Sequence, residues 1–239
     1  MRIALLISGE GTTAATIITA CKSGQLKNVE PVLVIASREG IDGIKRAIDA
    51  GMKPKDVVVV NPKTFSALDD FGQAILQNCE KCGVEFIGQY GWLCLTPANV
   101  IKKYDGMMTN QHPGPLDPGR PDFGGKGMFG KRVHAARLCF VKKTNRDSWS
   151  EATAQRVARK FDEGTVLKRK QVSILPRDDA DALAVRMLPI EHEVQMEVLQ
   201  DFANNQVKEL TRQQFLVRPE EIGILQECKK EAIEKYPKG

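Results

Sequence analysis

At 239 residues and 42% hydrophobic composition, the chain is long enough for one large α/β domain or two small ones, and its apolar content sets disorder aside. Its 35 basic and 30 acidic side chains leave a formal charge of +5 spread along the sequence, so nucleic acid is not indicated as a partner, while a phosphorylated small molecule is compatible. No run approaches the roughly 18 apolar residues that span a bilayer, and MRIALLISGEG lacks the apolar segment and cleavage site of a secretory signal, which gives the expectation of a cytoplasmic protein away from membranes.

The first half alternates short β-rich runs with helical patterns. Strands are expected over 2–8, 31–37, 57–60, 84–88 and 107–110, with helices near 12–22, 42–50 and 65–82 and a short one after Pro97. Strands apolar on both faces and separated by helices are the signature of a parallel sheet built from right-handed crossovers. The expected fold is therefore α/β, doubly wound and Rossmann-like, with helices on both faces and ligands at the C-terminal strand ends. After Asn110 the run HPGPLDPGRPDFGGKGMFG holds four prolines and six glycines, too many for a helix or a central strand, and reads as a loop. Beyond it the pattern predicts a strand over 133–141, a polar helix over 150–160 and a strand over 166–174. A long helix over 179–203, a short strand over 207–210 and an amphipathic helix over 219–236 complete the chain. No linker cuts it in two, so 1–210 is expected to form one domain and 211–239 a C-terminal helical extension.

The six cysteines are scattered, most of them in apolar surroundings where a reduced thiol behaves as a small hydrophobe. Only Cys79 and Cys82 form a C-x-x-C pair. A zinc site wants a second pair at similar spacing, and a redox pair wants its thiols at a helix N-terminus, whereas these close a helical pattern that stops at Gly83. The structural reading is favoured, and no metal is expected.

Between the first strand and first helix, ISGEGTTAATI places Gly9 and Gly11 beside Thr12 and Thr13. Unblocked backbone N–H groups and two hydroxyls at the positive end of a helix can surround a phosphate. The spacing G-x-G-x-x-A, completed by Ala14, also satisfies a loose dinucleotide fingerprint. Ser37-Arg38 at the end of the second strand would then favour NADP, and an NADP-dependent oxidoreductase is the rival reading; an unliganded tight turn is the third.

Asn110 and His112 leave a strand end one residue apart, and alternation along an extended chain aims both to the same side. An amide donor beside a protonatable imidazole suits the tetrahedral intermediate of an acyl or formyl transfer; the plain alternative is a pinned loop with a satisfied histidine. His134 and His192 read as structural.

ISGEGTT, NQHPGPL and FDEGTVLKRKQVSI follow one another in the order of the motifs of the phosphoribosylglycinamide formyltransferase family, and the chain resembles that family over roughly residues 1–210. The resemblance implies a one-carbon transferase of purine biosynthesis that uses 10-formyltetrahydrofolate as cosubstrate, acts on small molecules as a monomer or homodimer, and needs no metal. It implies catalytic roles for Asn110, His112 and Asp162, with the carboxylate of Asp162 beside His112 stabilising its cationic form. It also implies Gly11, Thr12 and Thr13 at the acceptor's phosphate, Glu191 near its ribose or amine, and Trp92, Leu93, Cys94 and Leu95, with Asn110, against the folate. Other amines, such as an amino sugar or an aminoacyl group, are alternative acceptors.

Three features depart from that family's pattern. Leu68 falls where the family carries a basic phosphate ligand. The loop after His112 is longer and carries Asp117, Arg120, Asp122 and Lys126, with Arg120 or Lys126 as possible replacements for the ligand. About twenty residues separate Val141 from Asp162. Residues 142–160 have helical spacing, with Trp149 as an apolar group and Lys142, Lys143, Arg146, Arg156 and Arg159 as cations. They are expected to form a helical lid over the folate, with a solvated surface helix or a dimer contact as the alternatives.

Overall fold

A computed structural model describes residues 1–239. Five strands of the first half form where the apolar runs predict them: β1 Arg2–Ile7, β2 Glu30–Ala36, β3 Val57–Val59, β4 Phe86–Gln89 and β5 Met108–His112. They alternate with α1 Thr12–Lys22, α2 Asp42–Ala50, α3 Leu68–Lys81 and the short α4 Ala98–Lys103. β1 pairs in parallel with both β2 and β4, β2 with β3, and β4 with β5. With β6 Trp149–Arg156 and β7 Val166–Ser173 the sheet has seven strands in the order β3-β2-β1-β4-β5-β6-β7. β6 and β7 pair antiparallel. The chain starts at β1, winds outward to β3, then returns to β4 on the other side of β1, so the topological switch point falls between β1 and β4.

Contacts divide the chain into two compact units. The first comprises residues 1–111, 156–159 and 195–207; the second comprises 112–155, 160–194 and 208–239. In the first, β1 and β2 carry apolar residues on both faces because each face meets a separate cluster. Ile3, Leu5, Ile7, Val34 and Ala36 join Ile17, Ile18 and Leu199, while Ala4, Leu6, Leu33 and Ile35 join Phe71, Ile75 and Val100. Cys79 lies in the latter cluster, where burial pushes its thiol up to about 12, and Cys82 caps α3 ahead of Gly83.

The second unit corrects two expectations. Residues 133–141 are not a strand but part of α5 Lys131–Thr144, and 150–160 are not a helix but largely strand β6. In α5 the run His134-Ala-Ala-Arg-Leu contains strong helix formers, and its buried positions Val133, Ala136, Arg137, Phe140 and Val141 recur at helical spacing. In β6, Glu, Ala, Gln and Arg have helix-favouring side chains, yet residues 150–155 are all buried and pair with β7. Tertiary burial overrides the local preference. The helical lid is thereby ruled out: Trp149 begins a sheet strand and packs with Phe123 and Phe140 in the core of this unit.

α6 Ala180–Ala203 matches the long helix expected there, and the last turns of chain form α7 Ile222–Lys235. The proposed strand over 207–210 is reduced to a single bridge between Leu210 and Val166. α7 packs against α5 through Leu225, Cys228 and Ala232, and Cys228 is joined to Cys139 of α5 by a disulfide with Cα atoms 5.6 Å apart. This pair departs from the reduced thiols expected from the sequence, because residues 89 apart meet only when the two helices pack.

Candidate active site

In the first unit, the loops after β1 and β4 flank the switch point. Gly11, the N-cap of α1, has φ +66°, and a Cβ there would lie 2.7 Å from Gly43 Cα, so the position needs glycine for both conformation and space. No side chain caps α1 and its first turn holds no acidic residue. Its terminal N–H groups therefore retain the positive end of the helix dipole. Thr12 is half-buried and Thr13 buried. Ser8 ties this loop to the segment after β4: its N–H donates to the Gly91 carbonyl (3.1 Å), its Oγ accepts from the Leu93 N–H (3.0 Å), and Ser37 Oγ donates to it (2.9 Å). The glycine loop and the Trp92–Leu95 segment thus lie side by side, as expected of two elements serving one cleft. Within that segment Trp92 is buried and stacks on Phe71, Cys94 is half-buried, and Leu93 and Leu95 remain exposed. Leu68 is also exposed. Asn110, half-buried, lies in β5 opposite Gln89 of β4.

In the second unit, His112 and Asp162 are brought together. Their side chains are only 3% and 9% exposed, and His112 Nδ1 faces Asp162 Oδ1 at 3.5 Å. The Asp162 carboxylate is held by two further donors, the Gln155 amide on Oδ1 (2.8 Å) and the Gly125 N–H on Oδ2 (2.9 Å). Asp162 adopts a left-handed φ of +59°, a conformation that aspartate tolerates better than most residues. The other imidazole nitrogen, Nε2, is buried and meets no hydrogen-bonding partner. Gly114 flanks it: a Cβ there would lie 3.4 Å from Nε2. A buried N–H without a partner is costly unless it has a task, and an imidazole anchored on one nitrogen with the other left available is arranged to donate to a reacting oxygen.

Glu191, on α6, is buried. His134 is also buried, on α5 instead of a strand; burial, and secondarily the charge of His112, lowers its pKa to about 4. Burial lowers the pKa of His192 as well, so both imidazoles favour the neutral form near pH 7. Arg120 bonds to Asp117 and to the Arg212 carbonyl, which commits it to holding the loop.

Sequence reasoning missed Gln155, Gly114 and Gly125. Gln155 lies in the strand misread as a helix, and the glycines were submerged in a run where nearly every third residue is glycine. The spacing of Gln155 seven residues before Asp162 becomes meaningful only once both lie on a β6–β7 hairpin.

A mostly parallel sheet with a glycine loop at its switch point, joined in sequence to a histidine–carboxylate pair, defines an α/β protein of the doubly wound class. The chain belongs to the formyl transferase family, whose model matches residues 1–199. It is 30% identical over 212 residues to the chloroplastic phosphoribosylglycinamide formyltransferase of Vigna unguiculata, covering 86% of this chain and 62% of that protein. The chain therefore spans less than two thirds of the length of that relative. The solved glycinamide ribonucleotide transformylase 1 of Symbiobacterium toebii superposes with a TM-score of 0.74 at 25% identity, over 88% of this chain and 94% of that one. The corresponding structure from Geobacillus kaustophilus gives 0.71 at 26% identity, over 84% and 98%. This membership displaces the oxidoreductase reading of the glycine loop. No helix is long and apolar enough to cross a membrane.

Proposed function

We propose that the protein transfers a formyl group from 10-formyltetrahydrofolate to the amine of a phosphorylated small molecule, glycinamide ribonucleotide of purine biosynthesis. The observation that carries this reading is the buried, unpartnered Nε2 of His112 on an imidazole whose Nδ1 is turned to Asp162. The acceptor amine attacks the formyl carbon, forming the new C–N bond. The developing oxyanion takes hydrogen bonds from His112 Nε2–H and the Asn110 amide, and Asp162, facing Nδ1, orients the imidazole. Collapse breaks the bond to the folate nitrogen, which gains a proton as the amine loses one.

Gly11, Thr12 and Thr13 receive the acceptor's phosphate at the uncapped start of α1, and Glu191 serves its ribose or amine. Leu93, Cys94 and Leu95 offer apolar surface to the pterin, with Trp92 as the buried support beneath them. The exposed Leu68 favours a second reading, in which another amine, such as an amino sugar or an aminoacyl group, replaces glycinamide ribonucleotide. The setting we assign is cytoplasmic, with small-molecule substrates, no metal, and a monomer or homodimer as the working unit.

A thermal-shift panel of folates, glycinamide ribonucleotide, amino-sugar nucleotides and NADP(H) tests the substrate classes, since a ligand at 100 times its dissociation constant stabilises by about 2.7 kcal/mol. His112→Ala and Asp162→Asn should each stay folded and lower formyl transfer by about two powers of ten or more. Near-native turnover in either folded variant, or stabilisation by NADPH and not by folates, would sink the assignment.

A further inference from the structure

The turn that holds Asp162 is itself held by a part of the chain beyond the residues that match the family model. Gly124 backs directly on the carboxylate residue: a Cβ there would lie 2.6 Å from Asp162 Cβ and 2.6 Å from Leu116 Cδ2. The next residue, Gly125, has φ +97° and supplies the N–H bonded to Asp162 Oδ2. Two groups fix this pair of glycines. The Asp122 carboxylate accepts from the N–H groups of Asp117 and Gly124, each at 2.8 Å. From α7, Lys229 Nζ donates to the Gly124 carbonyl at 2.7 Å.

Lys229 is half-buried, and its ammonium lies in the field of Asp122, Asp162 and Glu163. Burial lowers its pKa and these three carboxylates oppose that shift, so the cation is placed where it meets the charges of the site. A backbone carbonyl needs only a neutral donor. An ammonium bonded to the carbonyl of Gly124, the residue that backs on Asp162 and precedes the Gly125 N–H donor, ties α7 directly to the turn that holds the carboxylate.

We propose that Lys229 is a positioning residue for formyl transfer: it locks the Gly124–Gly125 turn against Asp162, and through Asp162 it sets the orientation of His112. The proposal rests on the reading of His112 and Asp162 given above and extends the machinery to the C-terminal helix. Its consequence is kinetic. A loosened Asp162 leaves the imidazole less well aimed, which lowers the rate of the bound complex while substrate binding in the first unit is retained.

The test uses the full chain with Lys229→Met, Lys229→Gln, Lys229→Arg and Gly124→Ala beside Asp162→Asn, reading kcat, both KM values and the thermal midpoint. Lys229→Met should lower kcat roughly 10- to 100-fold, as expected of a displacement of about 1 Å at a reacting group, with both KM values within about twofold of the parent. Lys229→Arg, which keeps the charged donor, should recover most of that loss. Gly124→Ala, whose added Cβ presses on Asp162 directly, should lower kcat with the cation intact and shows what a displaced Asp162 costs. Lys229→Gln, which shortens the side chain and removes the charge while keeping a donor, should lower kcat with both KM values retained and decides the matter if Lys229→Met does not fold. A folded Lys229→Met at parental kcat, or one that changes only KM, overturns the proposal. A loss that Lys229→Arg leaves unrestored does so too. Full activity in Asp162→Asn overturns the underlying site reading as well, whereas an inactive Asp162→Asn beside a fully active Lys229→Met overturns this proposal alone.

Discussion

The two units are held together by different physics. In the first, the buried polar side chains are hydroxyls and amides, Ser8, Thr13, Ser37, Gln89, Thr96, Thr109 and Gln195, set in two apolar clusters. In the second, Asp117, Arg132, Arg137, Glu151, Glu191 and Glu221 are all buried. Arg137 is fully enclosed, with its guanidinium over the rings of Phe123 and Trp149 and its N–H groups on the Trp149 and Asp147 carbonyls. Burial lowers its pKa to about 9. Glu151 is equally enclosed and is paired by Arg212, with Arg169 3.6 Å from its other oxygen. A scaffold of parallel strands can be built from apolar area alone, whereas a unit that must fix an imidazole and a carboxylate is built from directional bonds.

That contrast can be broken by comparing single substitutions in the two units. Arg212→Met leaves the Glu151 carboxylate buried without its main partner and should cost about 3–5 kcal/mol in urea unfolding. The double variant Glu151→Met/Arg212→Met should recover much of that loss, because replacing a buried pair by apolar groups is often near neutral. If the single variant is no worse than a deleted methyl group, the second unit is not held by its charges.

A smaller effect is expected from acid. The folded-state pKa of His134, about 4, lies below its ordinary value of 6.5, so between these pH values the unfolded chain binds a proton that the folded chain refuses. Stability should therefore fall as pH drops from about 6.5 to about 4, by up to roughly 3 kcal/mol from this residue. His134→Leu should flatten that part of the stability profile; an unchanged slope would show that His134 is not the responsible group.

The smallest effect belongs to the first unit. Ile35→Val, deleting one methylene from a fully buried position in β2, should cost about 0.5–1.5 kcal/mol with no change in the pH profile. A cost matching that of Arg212→Met would erase the distinction between the units.

The same contrast explains what was legible in the sequence. Runs such as Ile3-Ala-Leu-Leu-Ile and Val32-Leu-Val-Ile are buried on both faces, and their apolar character shows without knowledge of neighbours. His112 and Asp162 were reached through motif order, and they do meet. β6 was not legible: its Glu151, Thr153 and Gln155 are buried because partners outside the strand receive them, Arg212 for Glu151, the Gly114 carbonyl for Thr153 and Asp162 for Gln155. A window along the chain sees polar, helix-favouring residues and no sign of those partners.

The sequence by itself determined the positions of the first five strands and the glycine turn before α1, and the order of its motifs singled out His112 and Asp162. The strands and the turn depend on neighbours within a few residues or on a local steric need such as the positive φ at Gly11, whereas His112 and Asp162, far apart in the chain, are picked out only by the order of their motifs. Only the tertiary structure decided that residues 149–156 are a strand, that Cys139 and Cys228 meet, and that Gln155, Gly125 and Lys229 converge on Asp162 or its supporting turn. The physical reason is separation along the chain. A hydrogen bond between residues 105 apart, as from Lys229 to Gly124, leaves no periodicity to read and exists only after the elements bearing both groups have packed.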